Sequence, residues 1–314
     1  LFSVSCGGEW LPNPVLLKGH SPAGYGLEEL FAFFRSRLYK FSHFKAEVIH
    51  IHALLLLGVF CALIPVRQPD LLAKRARYML MLFVGATLLQ ILFARTGWLY
   101  RYELFLVVLA STSAVLRLAL LVRDYRAGGR FGQLQVSGVT LLAAMAFLVT
   151  AALALSVRAV PAHASVAEAS RDIYRQQIQM AEFCRTYYSG QTVAVNDVGA
   201  VSYLGNVKIM DLVGLADNEV ARLRLSHHSD VHHLELLAQA RNIALVIAYR
   251  DWISRLWGSP ASSWREVAEW TKPDNIICGG PTVTFYAPNP DKAAALIQQL
   301  AEFKTRLPKE IKVT

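Results

Sequence analysis

The chain has 314 residues, of which 54% are hydrophobic and only 18% charged, with a formal net charge of +9. A soluble domain carries nearer 25% charged residues, so this composition excludes a disordered chain, a collagen-like chain and a disulfide-rich mini-protein. The length allows two domains, and the location of the charge separates nucleic acid, membrane surface and membrane-loop bias as its meaning.

Up to Val157 the chain holds 15 Lys and Arg against 7 Asp and Glu; beyond it, 17 against 16. The basic excess therefore lies in the oily half, whereas a nucleic-acid binder concentrates it on a soluble domain. Residues 1–45 read as an extracytoplasmic loop with an interfacial helix. Leu27–Phe44 has apolar residues at helical spacing, with Phe31, Phe33, Phe34 and Tyr39 among them, as in a helix lying on a membrane. Residues 46–157 read as a transmembrane helical domain. Four apolar stretches fill it: Val48–Val66, Ala76–Ala94, Leu99–Val122 and Val136–Val157. Each approaches or exceeds the ~20 residues that cross a bilayer as a helix.

The connecting segments orient these helices. Arg67, Lys74 and Arg75, with Arg77 at the start of the second stretch, cluster where the first two stretches connect, and Arg123, Arg126 and Arg130 lie between the last two. The positive-inside rule places both on the cytoplasmic side. The Arg95–Trp98 connection and both flanking segments then lie outside. Arg35, Arg37, Lys40 and Lys45 precede the first stretch and pull the other way.

Residues 158–314 read as a small extracytoplasmic α/β domain. A helical pattern runs from Ser165 to Tyr188. Strand patterns follow at Gln191–Asn196, Val207–Leu212, Ile243–Tyr249 and Thr282–Tyr286. Helices are expected at Asp217–Arg224, His233–Arg241 and Pro290–Arg306, and this alternation is that of an α/β fold. Of the four cysteines, Cys61 falls in a span, while Cys184 and Cys278 allow a disulfide that spacing alone does not establish.

Three constellations stand out. His227, His228, Asp230, His232 and His233 offer ligands for a divalent metal, with His228 and His232 on one helical face; the plain alternative is a helix start capped by Ser229 or Asp230. No third ligand is identifiable, so no metal site is assigned. The second is Trp98–Glu103, where aromatic anchoring competes with phosphate recognition by Arg101 beside Tyr102 and Glu103. The third is Asn196-Asp197-Val-Gly199 with Tyr203 and Asp211, either the rim of an α/β site or ordinary turn chemistry. There is no P-loop, no G-x-G-x-x-G and no G-x-S-x-G, so nucleotide binding and serine hydrolysis have no support.

Taken together these segments resemble bacterial integral-membrane glycosyltransferases of the GT-C type. Leu11-Pro12-Asn13-Pro14 to Lys18 looks like the "lPNt…aK" loop of that class. Gly97-Trp98 to Arg101-Tyr102 looks like its "RY" motif. Asn196–Tyr203 with Asp211–Leu215 is similar to "NDiGa.sY…vvDl.GL" in the tail of such proteins, as are Thr282–Tyr286 and Leu307-Pro308. The resemblance implies an enzyme of a bacterial inner membrane that transfers a sugar from a polyprenyl-phosphate donor to a glycan, lipid or protein acceptor on the outer side. No cofactor is expected beyond the divalent metal weighed at the histidine cluster, and, from the charge distribution, no nucleic acid; membrane lipids are the surroundings. Arg101, Tyr102, Glu103, Asn13, Lys18, Asn196, Asp197, Tyr203 and Asp211 are then the substrate-binding residues. The class carries its catalytic acid after its first span. That acidic motif has no counterpart here; Glu9 precedes Pro12, but nothing in the sequence shows that it substitutes. The chain therefore reads as the C-terminal half of a longer enzyme, with no catalytic residue assigned. The alternative is a non-catalytic membrane-anchored module that binds an envelope glycan or partner protein through its α/β domain.

Overall fold

The computed structural model describes residues 2–5, 7–19, 26–42, 49–63, 70–94, 102–126, 130–131, 134–135, 138–226 and 230–314. It divides into two compact units, Lys18–Ala164 and Leu1–Leu17 with Ser165–Thr314. The chain opens with short helices α1 (Phe2–Ser5) and α2 (Asn13–Lys18). Helices α3 (Leu27–Ser42), α4 (Ile49–Leu63), α5 (Leu71–Phe93), α6 (Leu104–Arg126) and α7 (Gly138–Ala164) follow, with a two-residue ladder, β1 (Arg130–Phe131) and β2 (Leu134–Gln135), before α7.

Among the described residues, three of these helices carry segments long and apolar enough to cross a membrane: Leu71–Phe93, Leu104–Arg126 and Ala144–Ala164. They make this a membrane protein by length and composition. The expected first span is α4, whose 15 described residues rise only about 22 Å at ~1.5 Å per residue. Helix α7 continues through Arg158 to Ala164, and the unit of the α/β region resumes at Ser165.

Small residues let the helices approach. A Cβ on Gly58 of α4 would lie 2.7 Å from the Phe83 ring of α5, which is wholly buried with Leu54, Leu80 and Leu106. Leu82, Leu89, Val108, Val115 and Val149 are exposed, an apolar exterior suited to lipid and unsuited to water. Helix α3 packs Phe33 on Phe93 with ring centroids 5.8 Å apart, while Phe31 stays exposed. Arg37 of α3 donates to the Ile91 carbonyl in the last turn of α5 at 3.2 Å, satisfying an acceptor that the helix end leaves open.

In the second unit the expected long helix forms as α8 (Val166–Asp172), a π-helical stretch (Ile173–Ile178) and α9 (Gln179–Tyr187). Then come β3 (Thr192–Val195), α10 (Gly199–Leu204), β4 (Lys208–Asp211), α11 (Asn218–Leu225), α12 (Val231–Ala240), β5 (Leu245–Ala248), α13 (Arg250–Trp257), β6 (Arg265–Thr271), β7 (Thr282–Ala287), α14 (Ala293–Phe303) and β8 (Lys312–Val313). The sheet order is β4-β3-β5-β7-β6-β8. Strands β4, β3 and β5 are parallel, and β7, β6 and β8 are joined antiparallel, so the sheet is mixed.

Period-two alternation sends side chains to two cores. Val193, Val195, Leu245, Ile247 and Phe285 face α9 and α14, where Phe183, Leu300 and Phe303 are buried. Ala194, Met210, Val246, Ala248 and Tyr286 face α11, α12 and α13. Strand β5 is buried on both faces, which is why its sequence is an unbroken apolar run.

Phe183 touches Trp270, Phe285 and Phe303 edge-to-face, with centroids 5.4–5.7 Å apart. Phe183→Ala is expected to destabilise this unit by about 3–5 kcal/mol. Urea unfolding of the detergent-solubilised chain, followed by tryptophan fluorescence, measures it; a loss under about 1 kcal/mol would contradict this packing.

Candidate functional site

In an open α/β sheet, ligands bind beyond the carboxyl ends of the parallel strands. Here those ends carry Asn196 and Asp197 after β3, Asp211 at the end of β4 and Tyr249 after β5. Asn196 is buried and ties two strand ends together. It accepts from the Tyr249 backbone N–H at 3.3 Å and donates to the Tyr249 carbonyl at 3.4 Å.

The space over these ends is filled from the π-helical stretch. Its wider register brings two consecutive residues, Gln176 and Gln177, into the interior, a use often seen at functional positions. The Tyr249 hydroxyl donates to Gln176 Oε1 at 2.8 Å and accepts from Gln177 Nε2 at 2.7 Å. Gln177 Nε2 also donates to half-buried Asp197 at 3.1 Å. Burial drives the Tyr249 phenol well above the ordinary tyrosine range, with Asp197 and Cys278 adding to the rise, so it remains a neutral donor. Gln177 Oε1 is buried without a hydrogen-bond partner among the described residues.

The loop from Lys272 to Pro281 covers the network. Gln176 Nε2 donates to the Gly280 and Pro281 carbonyls at 3.1 and 3.2 Å. A Cβ on Gly279 would lie 2.4 Å from the Tyr249 ring and 2.8 Å from Trp252, so only glycine allows this approach. Lys272 Nζ lies 3.0 Å from Asp172 Oδ1, with both side chains at most 2% exposed. Asp172 Oδ2 accepts from the N–H groups of Ile276 and Ile277, and Lys272 reaches Asn275 Oδ1 at 2.8 Å. Burial of Asp172 opposes its ionisation. The Ile276 N–H and the Lys272 ammonium outweigh it and hold the carboxyl below the usual carboxylate range.

Cys184 and Cys278 are buried free thiols, so no disulfide joins them. Burial pushes Cys278 up to about 11 and Cys184 up to about 12, which keeps both protonated and poorly nucleophilic.

The other expected site residues divide by role. Asp211 is buried; its oxygens accept from the Val213 and Ala216 N–H groups at 2.8 and 2.9 Å. It shapes a turn in which Gly214, at φ +77°, lies against Ala221. Tyr203 is 87% exposed on α10 and is not among these contacts. Asn13 is buried in the unit of the α/β domain and donates to Asn218 at 2.9 Å. Lys18, Tyr102 and Glu103 belong to the other unit, where Glu103 is fully buried just before α6. Arg101 lies outside the described residues, as do His227 and His228. Asp230 caps α12 by accepting from the His233 N–H at 2.9 Å and contacts His233 Nδ1, the cap alternative weighed for that histidine cluster. Among the described residues no group of three metal-ligating side chains converges.

Sequence reasoning missed Gln176, Gln177, Tyr249, Asp172 and Lys272. No local pattern marked them: adjacent inward pairs also occur in the regular helix that follows, as at Met180-Ala181 and Phe183-Cys184. A family described as a domain of unknown function (DUF8728) matches residues 170–286, a stretch that contains every member of this network. No curated protein and no solved structure matches the chain.

Lys272→Met strands a buried carboxylate and is expected to cost about 3–5 kcal/mol, whereas Asp172→Leu with Lys272→Met recovers much of that loss. The depressed Asp172 value sets the pH sign. Its contribution is complete above the unfolded carboxylate range, near ~3.9, and disappears as pH falls through the lower folded value. Urea titrations between neutral and acid pH test this. A double variant no more stable than the single one would contradict the ion-pair account.

Proposed function

We propose that this chain is a membrane glycosyltransferase, or the C-terminal portion of one. It transfers a sugar from a polyprenyl-phosphate donor to a cell-envelope acceptor on the outer side of a bacterial inner membrane. Helix α4 with its flanking residues supplies a fourth span, and the basic connections face the cytoplasm. The α/β domain then lies on the outer side.

The observation that carries this reading is Glu103, wholly buried immediately before a 23-residue apolar helix. A carboxylate buried in a membrane unit is costly and is a functional candidate. Two residues earlier in the chain stands Arg101, whose guanidinium matches a phosphate; Tyr102 accompanies it. Arg101 grips the donor phosphate, and Glu103 orients the guanidinium or a sugar hydroxyl. Asn13 and Lys18 come from the loop segment that the resemblance assigns to the cavity.

Arg101→Ala in the full protein, in detergent or nanodiscs, is expected to weaken binding of a polyprenyl-phosphate sugar roughly 10- to 100-fold, the weight of a hydrogen bond to a charged group. Glu103→Gln should reduce transfer with less effect on donor binding. Unchanged donor binding in Arg101→Ala would sink the assignment.

A second reading has its own support. Asp172 and Asp211 are engaged by backbone N–H groups or Lys272, and Asp217 caps α11 at 3.1 Å while pairing with Arg241. The crevice over β3 and β5 is filled by glutamine and tyrosine side chains. Such a domain suits recognition or bracing better than catalysis. If the α/β domain only recognises or braces, Asp197→Asn leaves any sugar transfer by the full protein intact; a turnover loss of tenfold or more would place Asp197 at the acceptor instead.

A further inference from the structure

Helices α5 and α6 pack so that the start of one meets the end of the other. Asp70 caps α5 by accepting from the Ala73 N–H at 2.8 Å, and Arg123 in the last turn of α6 pairs with Asp70 and with Asp124. Lys74, Arg75 and Arg77 of α5 therefore share this end with Arg123 and Arg126 of α6. Lys74, Arg75, Arg77 and Arg126 are exposed. The carboxylates of these two helices at this end are Asp70 and Asp124, and Asp124 is buried.

From this basic end an open, shallow face runs along α6, formed by Val115, Leu118, Ala119, Val122, Arg123 and Arg126. Their spacing forms one continuous helical stripe, apolar for two turns and closed by two guanidinium groups. We infer that this face binds an anionic phospholipid, its acyl chain along Val115–Val122 and its phosphate at Arg126, beside an Arg123 whose guanidinium is held by Asp70 and Asp124. The charge is complementary to a phosphodiester, which guanidinium groups hold bidentately. A choline or ethanolamine cation gains nothing from five clustered basic residues. The apolar stripe on a helix of membrane-crossing length meets acyl chains. Basic clusters at the ends of such helices attract anionic lipid.

The inference rests on α6 spanning a membrane and is independent of sugar transfer, because this face lies at the end of α6 remote from Glu103. It is tested by reconstituting the full chain in nanodiscs of equimolar phosphatidylglycerol and phosphatidylcholine. Lipids retained after gentle extraction are then counted by native mass spectrometry. The wild-type chain is expected to retain phosphatidylglycerol preferentially. Arg126→Gln should cut that preference about fivefold, the equivalent of about 1 kcal/mol for one surface cation. Arg75→Gln with Arg126→Gln should approach parity. Ala119→Trp, on an exposed position, should lower retention by filling the stripe. Excess inorganic phosphate should not displace the lipid; displacement would mean that the site reads phosphate alone. Equal retention of both lipids by a chain that resists alkaline extraction would overturn the lipid site. Release of the chain by alkali would overturn the spanning of α6 and the lipid site with it.

Discussion

An ion pair shut away from water, Asp172 with Lys272, sets the geometry of the α/β unit. Two buried charges are stable only when every remaining lone pair and proton is matched. The consequences spread along the chain. Asp172 draws in the backbone of Ile276 and Ile277, and Lys272 draws in Asn275, so the loop after β6 closes over the sheet end. The loop in turn presses Gly279 on the Tyr249 ring. Tyr249 engages two glutamines, and the helix satisfies both by taking a π-helical stretch directly after Asp172.

That chain of constraints changes the functional weight of the soluble part. The strand ends that leave an open crevice in many α/β proteins are here occupied by their own side chains. Asn196 and Asp211, polar residues after strands and natural candidates for binding, are bound to backbone groups instead. On the helical unit, buried Glu103 stands just before α6, and Arg123 and Arg126 lie in its last turn. The 23 residues of α6 rise about 34 Å between these two ends.

Much of this was legible in the residues. The strands at Thr192–Val195, Leu245–Ala248 and Thr282–Ala287 announce themselves because buried strands need apolar, β-branched runs. Asp230 announces a helix start by its ability to cap. Strand β6 did not, because Arg265, Glu266 and Glu269 interrupt it; its identity comes from Trp270, 4.4 Å from Phe285, and from pairing on both sides. The helix α13 was hidden for a similar reason, its buried Ile253 and Trp257 being too few to show a period.

The sequence by itself determined the division into an oily half and an α/β half. Hydropathy and charge act locally, and no partner is needed to make a 23-residue apolar helix incompatible with water. It also determined most strands, through the same local burial pattern. The tertiary structure alone decided what the polar residues do. Hydrogen bonds and ion pairs between Asp172 and Lys272, or Gln177 and Tyr249, join positions 72 to 100 residues apart, and nothing in the local pattern of either partner specifies the other. Whether Asp211 waits for a ligand or holds a turn depends on which donors the fold brings to it, and the fold brings two backbone N–H groups.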